Sequence, residues 1–169
     1  MEQLDLTLRE RLARVPQVGR VEWIAARPEH GAPMHVLERA TVLAGRGLEL
    51  DRVSRRGGGK RQVTLVQAEH LDVIARLTGR SAPVDPALLR RNLVVSGVNL
   101  VALKSMRFAI GEQLVLEGTG PCEPCAKMDV ALGEGGFHAM RGHGGITARV
   151  IEGGEIRIGD AVRAIARVA

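Results

Sequence analysis

From residue 21 onward glycines cut the chain into short runs of β-forming residues, and this punctuation most limits the folds open to it. Runs at 21–26, 34–43, 61–66, 92–95, 106–110, 113–117, 146–152, 155–158 and 161–165 carry Val, Ile, Leu and Thr at strand-like density. Strands this short cannot stand alone, and an open sheet of many of them would expose long unpaired edges. The expected solution is a largely antiparallel sheet that curls or closes on itself. With no Tyr, two Phe and one Trp, its core must be built from Val, Leu, Ile and Ala. The fold class expected is α+β, mainly β: a β-barrel with a few peripheral helices. Gly153-Gly154, between two of the runs, has the composition of a two-residue hairpin turn.

Helical patterning is confined to a few places. Leu4, Leu8, Leu12 and Val15 recur at helical spacing before Pro16, which sets residues 1–19 apart as an N-terminal helical extension to a single domain over 20–169. Residues 68–78 place Leu71, Ile74, Ala75 and Leu77 on one face and stop at Gly79. Pro86 fits the first position of another short helix. Residues 55–61, Arg-Arg-Gly-Gly-Gly-Lys-Arg, read as a mobile basic loop. Glu2 and Asp5 stand where a secretory leader would be basic and then apolar, and no run of about 18 apolar residues follows, so a cytoplasmic, membrane-free protein is expected.

In a reducing compartment, two cysteines spaced C-x-x-C point to catalysis, redox chemistry or metal binding before they point to a structural disulfide. Cys122 and Cys125 lie in Gly118-Thr119-Gly120-Pro121-Cys122-Glu123-Pro124-Cys125-Ala126-Lys127-Met128, where two prolines and two glycines fix an irregular loop after a strand. Lys127 nearby favours the thiolate, the form that attacks electrophiles and binds metals. Either thiol could instead be a small buried core side chain.

Other chemistries can be weighed against this one. Cys122 and Cys125 followed by His138 and His143 have zinc-finger spacing, but glycines at 133, 135, 136, 142, 144 and 145 oppose the helix on which such histidines sit. A thiol-disulfide site of the C-x-P-C kind belongs to a βαβ context rather than to antiparallel strands. Arg90, Arg91 and Asn92 could anchor a phosphorylated cofactor through guanidinium forks and a heterocycle-reading amide, or be a helix-end charge cluster. Lys60, Arg61, Gln62 and Thr64 could reach an anion, although the preceding glycines lack the P-loop frame. The net charge of +5 favours anionic partners. His30, His35 and His70 are isolated, and neither a glycosidase carboxylate pair nor a nucleophile elbow is present.

Taken in order, Gly47-Leu48-Glu49-Leu50-Asp51-Arg52, Lys60-Arg61-Gln62-Val63-Thr64-Leu65, Arg90-Arg91-Asn92-Leu93-Val94-Val95-Ser96-Gly97, Gly120-Pro121-Cys122-Glu123-Pro124-Cys125, Gly142-His143-Gly144-Gly145-Ile146 and Gly153-Gly154-Glu155-Ile156-Arg157-Ile158-Gly159-Asp160 resemble a MOSC domain, the C-terminal module of molybdenum cofactor sulfurases. The closest resemblance is to stand-alone bacterial MOSC proteins. Leu50 departs from it, standing where many members have glycine before the aspartate matching Asp51.

The resemblance implies a barrel fold and a molybdenum-pterin or sulfur-transfer role. It makes Cys125 the catalytic thiol and metal ligand, with Cys122 the less essential of the pair. It assigns Arg90 and Asn92 to the cofactor, joined by Lys60, Arg61, Gln62, Arg141 and His143 as further candidates for binding it. Reduction of N-hydroxylated compounds at a Cys-ligated molybdenum centre is the leading expectation. A persulfide-bearing sulfur carrier is the second, and an anion or nucleic-acid binding module the third. No pyridoxal phosphate is expected, since the module that carries it in the sulfurases is missing here. Expected partners are a separate electron-donor protein or a cysteine desulfurase, with a small-molecule substrate. Nucleic acid is disfavoured, and a homodimer is left open.

Overall fold

The computed structural model describes residues 5–169, so Glu2 and Leu4 lie outside the described residues. Eleven strands occur among them: β1 (Gly19–Ala26), β2 (His35–Leu37), β3 (Arg39–Leu43), β4 (Gly47–Leu48), β5 (Val63–Gln67), β6 (Leu93–Ser96), β7 (Met106–Ile110), β8 (Leu114–Pro121), β9 (Ile146–Glu152), β10 (Gly154–Arg157) and β11 (Ala161–Arg167). The helices are α1 (Leu8–Ala13), α2 (Arg52–Arg56), α3 (His70–Leu77), α4 (Pro86–Leu89), α5 (Leu100–Leu103), α6 (Lys127–Leu132) and α7 (Gly136–Met140).

Seven strands run in the order β11-β7-β8-β9-β5-β6-β1, and β11 pairs back onto β1 through Gly19↔Val162 and Arg20↔Ala161, closing a barrel. Closure removes the edges that so many short strands would otherwise leave unpaired. β2 hangs off β1 outside the ring, and β10, β3 and β4 form a separate small sheet. The ladders are antiparallel except between β5 and β6, which the stretch containing α3 and α4 links in parallel.

Val21, Leu65, Leu93, Phe108, Leu116, Ile146 and Val162 belong to the buried cluster that fills the barrel, an aliphatic core with one large ring. On the outer side of β5 and β6, Val66 and Val94 pack against Ile74, Leu89, Met128 and Met140 from the covering helices. Every residue of β5 is therefore buried, as expected of a strand with both faces covered.

Several sequence expectations are corrected. Gly153-Gly154 makes no hairpin: β9 pairs with β5 and β8, whereas β10 crosses to β3 in the small sheet. The glycines serve close approach instead, since a Cβ on Gly153 would collide with the Val42 carbonyl and one on Gly154 with the Gln113 side chain. The expected strand at 34–43 is two strands, β2 and β3, which join different sheets. Arg55 and Arg56 are helical, in α2, because the Asp51 side chain caps it by accepting the Val53 N–H at 3.1 Å. Leu77 is 59% exposed, so the apolar face of α3 is narrower than its spacing suggests. The glycine-rich stretch before His138 still forms α7, where Gly136 lets the helix pack against the Met128 carbonyl of α6.

Candidate active site: a thiol at the rim of an arginine-lined cavity

Strand directions bring four chain segments to one end of the barrel. β1 ends at Ala26 antiparallel to the start of β6, β5 starts beside β6, and β8 delivers Pro121 opposite Ile146 of β9. A cavity of about 270 Å³ opens among them, lined by Arg27, Arg61, Thr64, Arg91, Cys122 and Cys125, with Val53, Glu123 and Met128 completing its wall. Cys125 is exposed and Cys122 is buried, and neither is in a disulfide.

Close backbone approach shapes the cysteine loop. The Cys122 N–H donates to the Gly145 carbonyl at 2.9 Å. A Cβ on Gly144 would collide with the Cys122 carbonyl oxygen, and Gly145, with φ +85°, lies against the Leu65 carbonyl. Only glycine satisfies both the space and the backbone angle at position 145. Gly144→Ala is accordingly expected to cost ~1–3 kcal/mol through overpacking and to displace the Cys122 loop; urea unfolding measures the first effect and thiol alkylation rates the second.

Arg91 ties the loops together. Its guanidinium donates to the carbonyls of Gly144 (2.9 Å), Leu89 (2.7 Å) and Cys122 (3.4 Å). Burial lowers its proton affinity, the nearby thiols of Cys122 and Cys125 raise it, and Arg27 and Arg61 lower it further. A guanidinium nevertheless stays charged, so Arg91 fixes a positive charge in the cavity wall.

Beneath the cavity lies a buried polar network. Asn92, fully buried, accepts from the Thr64 backbone (3.0 Å) and hydroxyl (3.1 Å) and donates to Ala25 O (3.1 Å) and Asp51 Oδ2 (2.8 Å). Asp51 Oδ2 also accepts from the Arg27 backbone N–H (2.9 Å) and Nε (3.0 Å), and Arg27 Nη2 reaches Oδ1 at 3.3 Å. Burial alone would raise the Asp51 carboxyl. Its bonds to Arg27 and to the Val53 N–H outweigh that and hold it below the ordinary carboxylate value. Exposed Leu50 tolerates the absent glycine, and Asp51 serves as helix cap and as anchor of Arg27.

The residues singled out in the sequence divide accordingly. Cys125 and Arg61 line the cavity, and Arg61 makes no ion pair or hydrogen bond among the described residues. Asn92 and Gln62 are buried with their amides engaged, Gln62 holding Gly59 O (2.9 Å) and accepting from the Val150 N–H (2.9 Å). They support the site from below rather than face a ligand. Arg90 turns away: it ends α4 in the left-handed region (φ 56°) and donates to Ala32 O at 2.7 Å. Lys60 is exposed and tethered by its carbonyl to the Thr119 hydroxyl, and Arg141 is exposed at the end of α7.

His143 faces His70, ring centroids 4.9 Å apart and edge to face, and its Nδ1 lies 2.9 Å from Ala139 O. His70 Nδ1 is buried with no hydrogen-bond partner among the described residues. Burial, then the neighbouring His143, lower the proton affinity of His70 below the ordinary 6.5, against the pull of Glu69. The unfolded chain therefore takes up this proton first as pH falls, so the contribution is intact above about pH 6.5 and drains away below it. The urea midpoint is expected to decline from pH 7.5 to 5.5, and His70→Phe to flatten part of that decline.

Of the cavity arginines, Arg27 is the one that sequence reasoning missed, and Arg91 was weighed with Arg90 and Asn92 but not assigned to the cofactor by the resemblance. An arginine followed by Asn92 and a buried strand is the signal for Arg91; nothing near Arg27 marks it. Among the described residues no three His, Cys, Asp or Glu side chains converge as a metal cluster, so Cys122, Cys125, His138 and His143 do not form a zinc site. No described helix is long and apolar enough to cross a membrane.

Comparison with known proteins agrees with this architecture. The YuaD protein of Bacillus subtilis superposes with TM-score 0.75 at 18% identity, covering 90% of this chain and 99% of that one. YiiM of Escherichia coli superposes with TM-score 0.67 at 20% identity, over 89% of this chain and 71% of that one. YiiM of Geobacillus stearothermophilus gives 0.64 at 14%, over 87% and 75%. No curated protein matches the sequence. The MOSC domain family model matches residues 52–163, from α2 through β11 and across every segment that lines the thiol cavity except Arg27, and the chain therefore belongs to the MOSC domain family.

Proposed function

We propose that this MOSC protein binds a molybdenum-pterin cofactor and reduces N-hydroxylated compounds, with Cys125 as the sulfur ligand of the metal. The observation that carries the reading is an exposed thiol at the rim of a cavity walled by Arg27, Arg61 and Arg91. The donor set fits such a group: a thiolate is a soft ligand suited to molybdenum, and guanidinium forks suit the anionic phosphate of the pterin. When bound, the cofactor supplies the two-electron chemistry. Arg61, free of protein partners among the described residues, receives the anion. Arg27, with Nε and Nη2 held by Asp51 and Asn92, is fixed in orientation and offers Nη1 to the anion, and Arg91 contributes charge while its donors stay on three carbonyls. The electrons come from a separate donor protein in this reading. Protein purified from cells that make the cofactor is expected to carry molybdenum, and metal-free protein from such cells overturns the proposal.

The exposure of Cys125 favours a second reading, since a macromolecular donor can reach it: a persulfide formed on Cys125 by a cysteine desulfurase and handed to a cofactor under assembly. Mass spectrometry after incubation with a desulfurase and cysteine is expected to show one added sulfur on Cys125; an unmodified thiol removes this reading.

A further inference from the structure

A larger cleft lies away from the thiol cavity. It has a volume of about 420 Å³, within the range of about 300–1,000 Å³ typical of small-molecule sites. One wall comes from α1 and the residues just after it, the other from α5, and Met106 at the start of β7 and Arg167 at the end of β11 also line it. Its apolar lining is Leu12, Val15, Val101, Ala102 and Met106. Met106 is buried, Val15 packs against the barrel core, and Leu12 and Val101 are left 52% and 47% exposed.

Among the described residues that line this cleft the charge has one sign. Arg11, Arg14, Lys104 and Arg167 line it, with no Asp or Glu among the described lining residues. The side chains of Arg14, Lys104 and Arg167 make no ion pair or hydrogen bond among the described residues, whereas seven other arginines of the chain are paired with carboxylates. Gathering cations about one cleft raises their mutual repulsion, which an anion relieves. The half-exposed Leu12 and Val101 gain by being covered with apolar surface. A packing role for α1 does not account for the arrangement, because none of its residues is buried.

We propose that this cleft binds a small amphiphilic acid, an organic carboxylate or phosphate monoester whose head meets Arg14, Lys104 and Arg167 and whose apolar body lies between Leu12 and Val101. The site is independent of the chemistry at Cys125. Binding is read by fluorescence titration of the full chain with anilinonaphthalene sulfonate, an anion with an apolar body. One saturable site is expected. Lys104→Glu with Arg167→Glu is expected to weaken it at least tenfold, and Ala102→Trp, which fills the cleft and leaves the charges in place, to abolish it. Decanoate or decyl phosphate is expected to displace the probe, the more effective of the two identifying the head group, while the neutral decyl maltoside leaves it bound.

Circular dichroism establishes that each variant is folded. Affinity unchanged in both variants, equal displacement by the neutral amphiphile, or no saturable site in the wild type overturns the proposal. So does loss of the signal in Arg61→Glu, which would place the probe in the thiol cavity, or displacement by a short DNA duplex in preference to the acids.

Discussion

Cys125→Ser is expected to reduce molybdenum content and turnover to background while leaving stability within about 0.5 kcal/mol of the wild type, as for most exposed positions. The two halves of that result have separate causes. A serine hydroxyl stays protonated at neutral pH and is a hard donor, so it replaces neither the metal-binding nor the nucleophilic capacity of a thiolate. The exposed Cys125 side chain meanwhile contributes little packing that serine would lose. Metal analysis, turnover of an amidoxime with a chemical reductant, and urea unfolding read the three quantities on one preparation. Cys122→Ser should show the opposite balance. It places a hydroxyl in a buried position, costing ~1–3 kcal/mol unless a partner is found, and leaves Cys125, the proposed metal ligand, in place. Full turnover in Cys125→Ser would remove this thiol from the chemistry.

Asp51→Ala is expected to be the most destabilising single change near the site, at ~3–5 kcal/mol, the range for deleting one partner of a buried ion pair. The Asp51 side chain is fully buried and that of Arg27 15% exposed, so the arginine left behind cannot regain full hydration. Asn92 loses a 2.8 Å acceptor at the same time. Asp51→Asn, which keeps an acceptor oxygen and drops the charge, should fall between the two. The carboxyl is held below its ordinary 3.8, so the unfolded chain binds the proton first on acidification. Its contribution is complete above the ordinary carboxylate range and disappears as pH falls through the lowered native value. The stability gap between wild type and Asp51→Ala should therefore narrow in acid. A gap that stays constant down to pH 3 would show that the loss is one of shape alone.

Local pattern made much of the barrel legible. Residues 106–110 and 146–152 are strands with the expected bounds, and the closed sheet follows from too many short strands to leave open. Long-range packing hid the rest. Gly153 and Gly154 have hairpin composition, yet their missing side chains make room for Val42 and Gln113, partners more than 40 residues distant. In the site, Arg90, Arg91 and Asn92 are adjacent in sequence, but the left-handed turn at Arg90 sends its guanidinium to Ala32 and leaves Arg91 to face the thiols. Arg27 was illegible because its role depends on Asp51, 24 residues away, and on Asn92, 65 residues away. The helices α5, α6 and α7 went unread because four to six residues are too few for an amphipathic period.

The two-pair seam between Gly19–Arg20 and Ala161–Val162 has a consequence for biosynthesis. Strands that meet across some 140 residues cannot join until nearly all of that length has left the ribosome, so a nascent chain carries β1 and β7 as sticky ribbons while it waits for β11. Translation halted before β11 would release a species prone to pair with its own copies through those ribbons, and chaperone demand should peak late in synthesis.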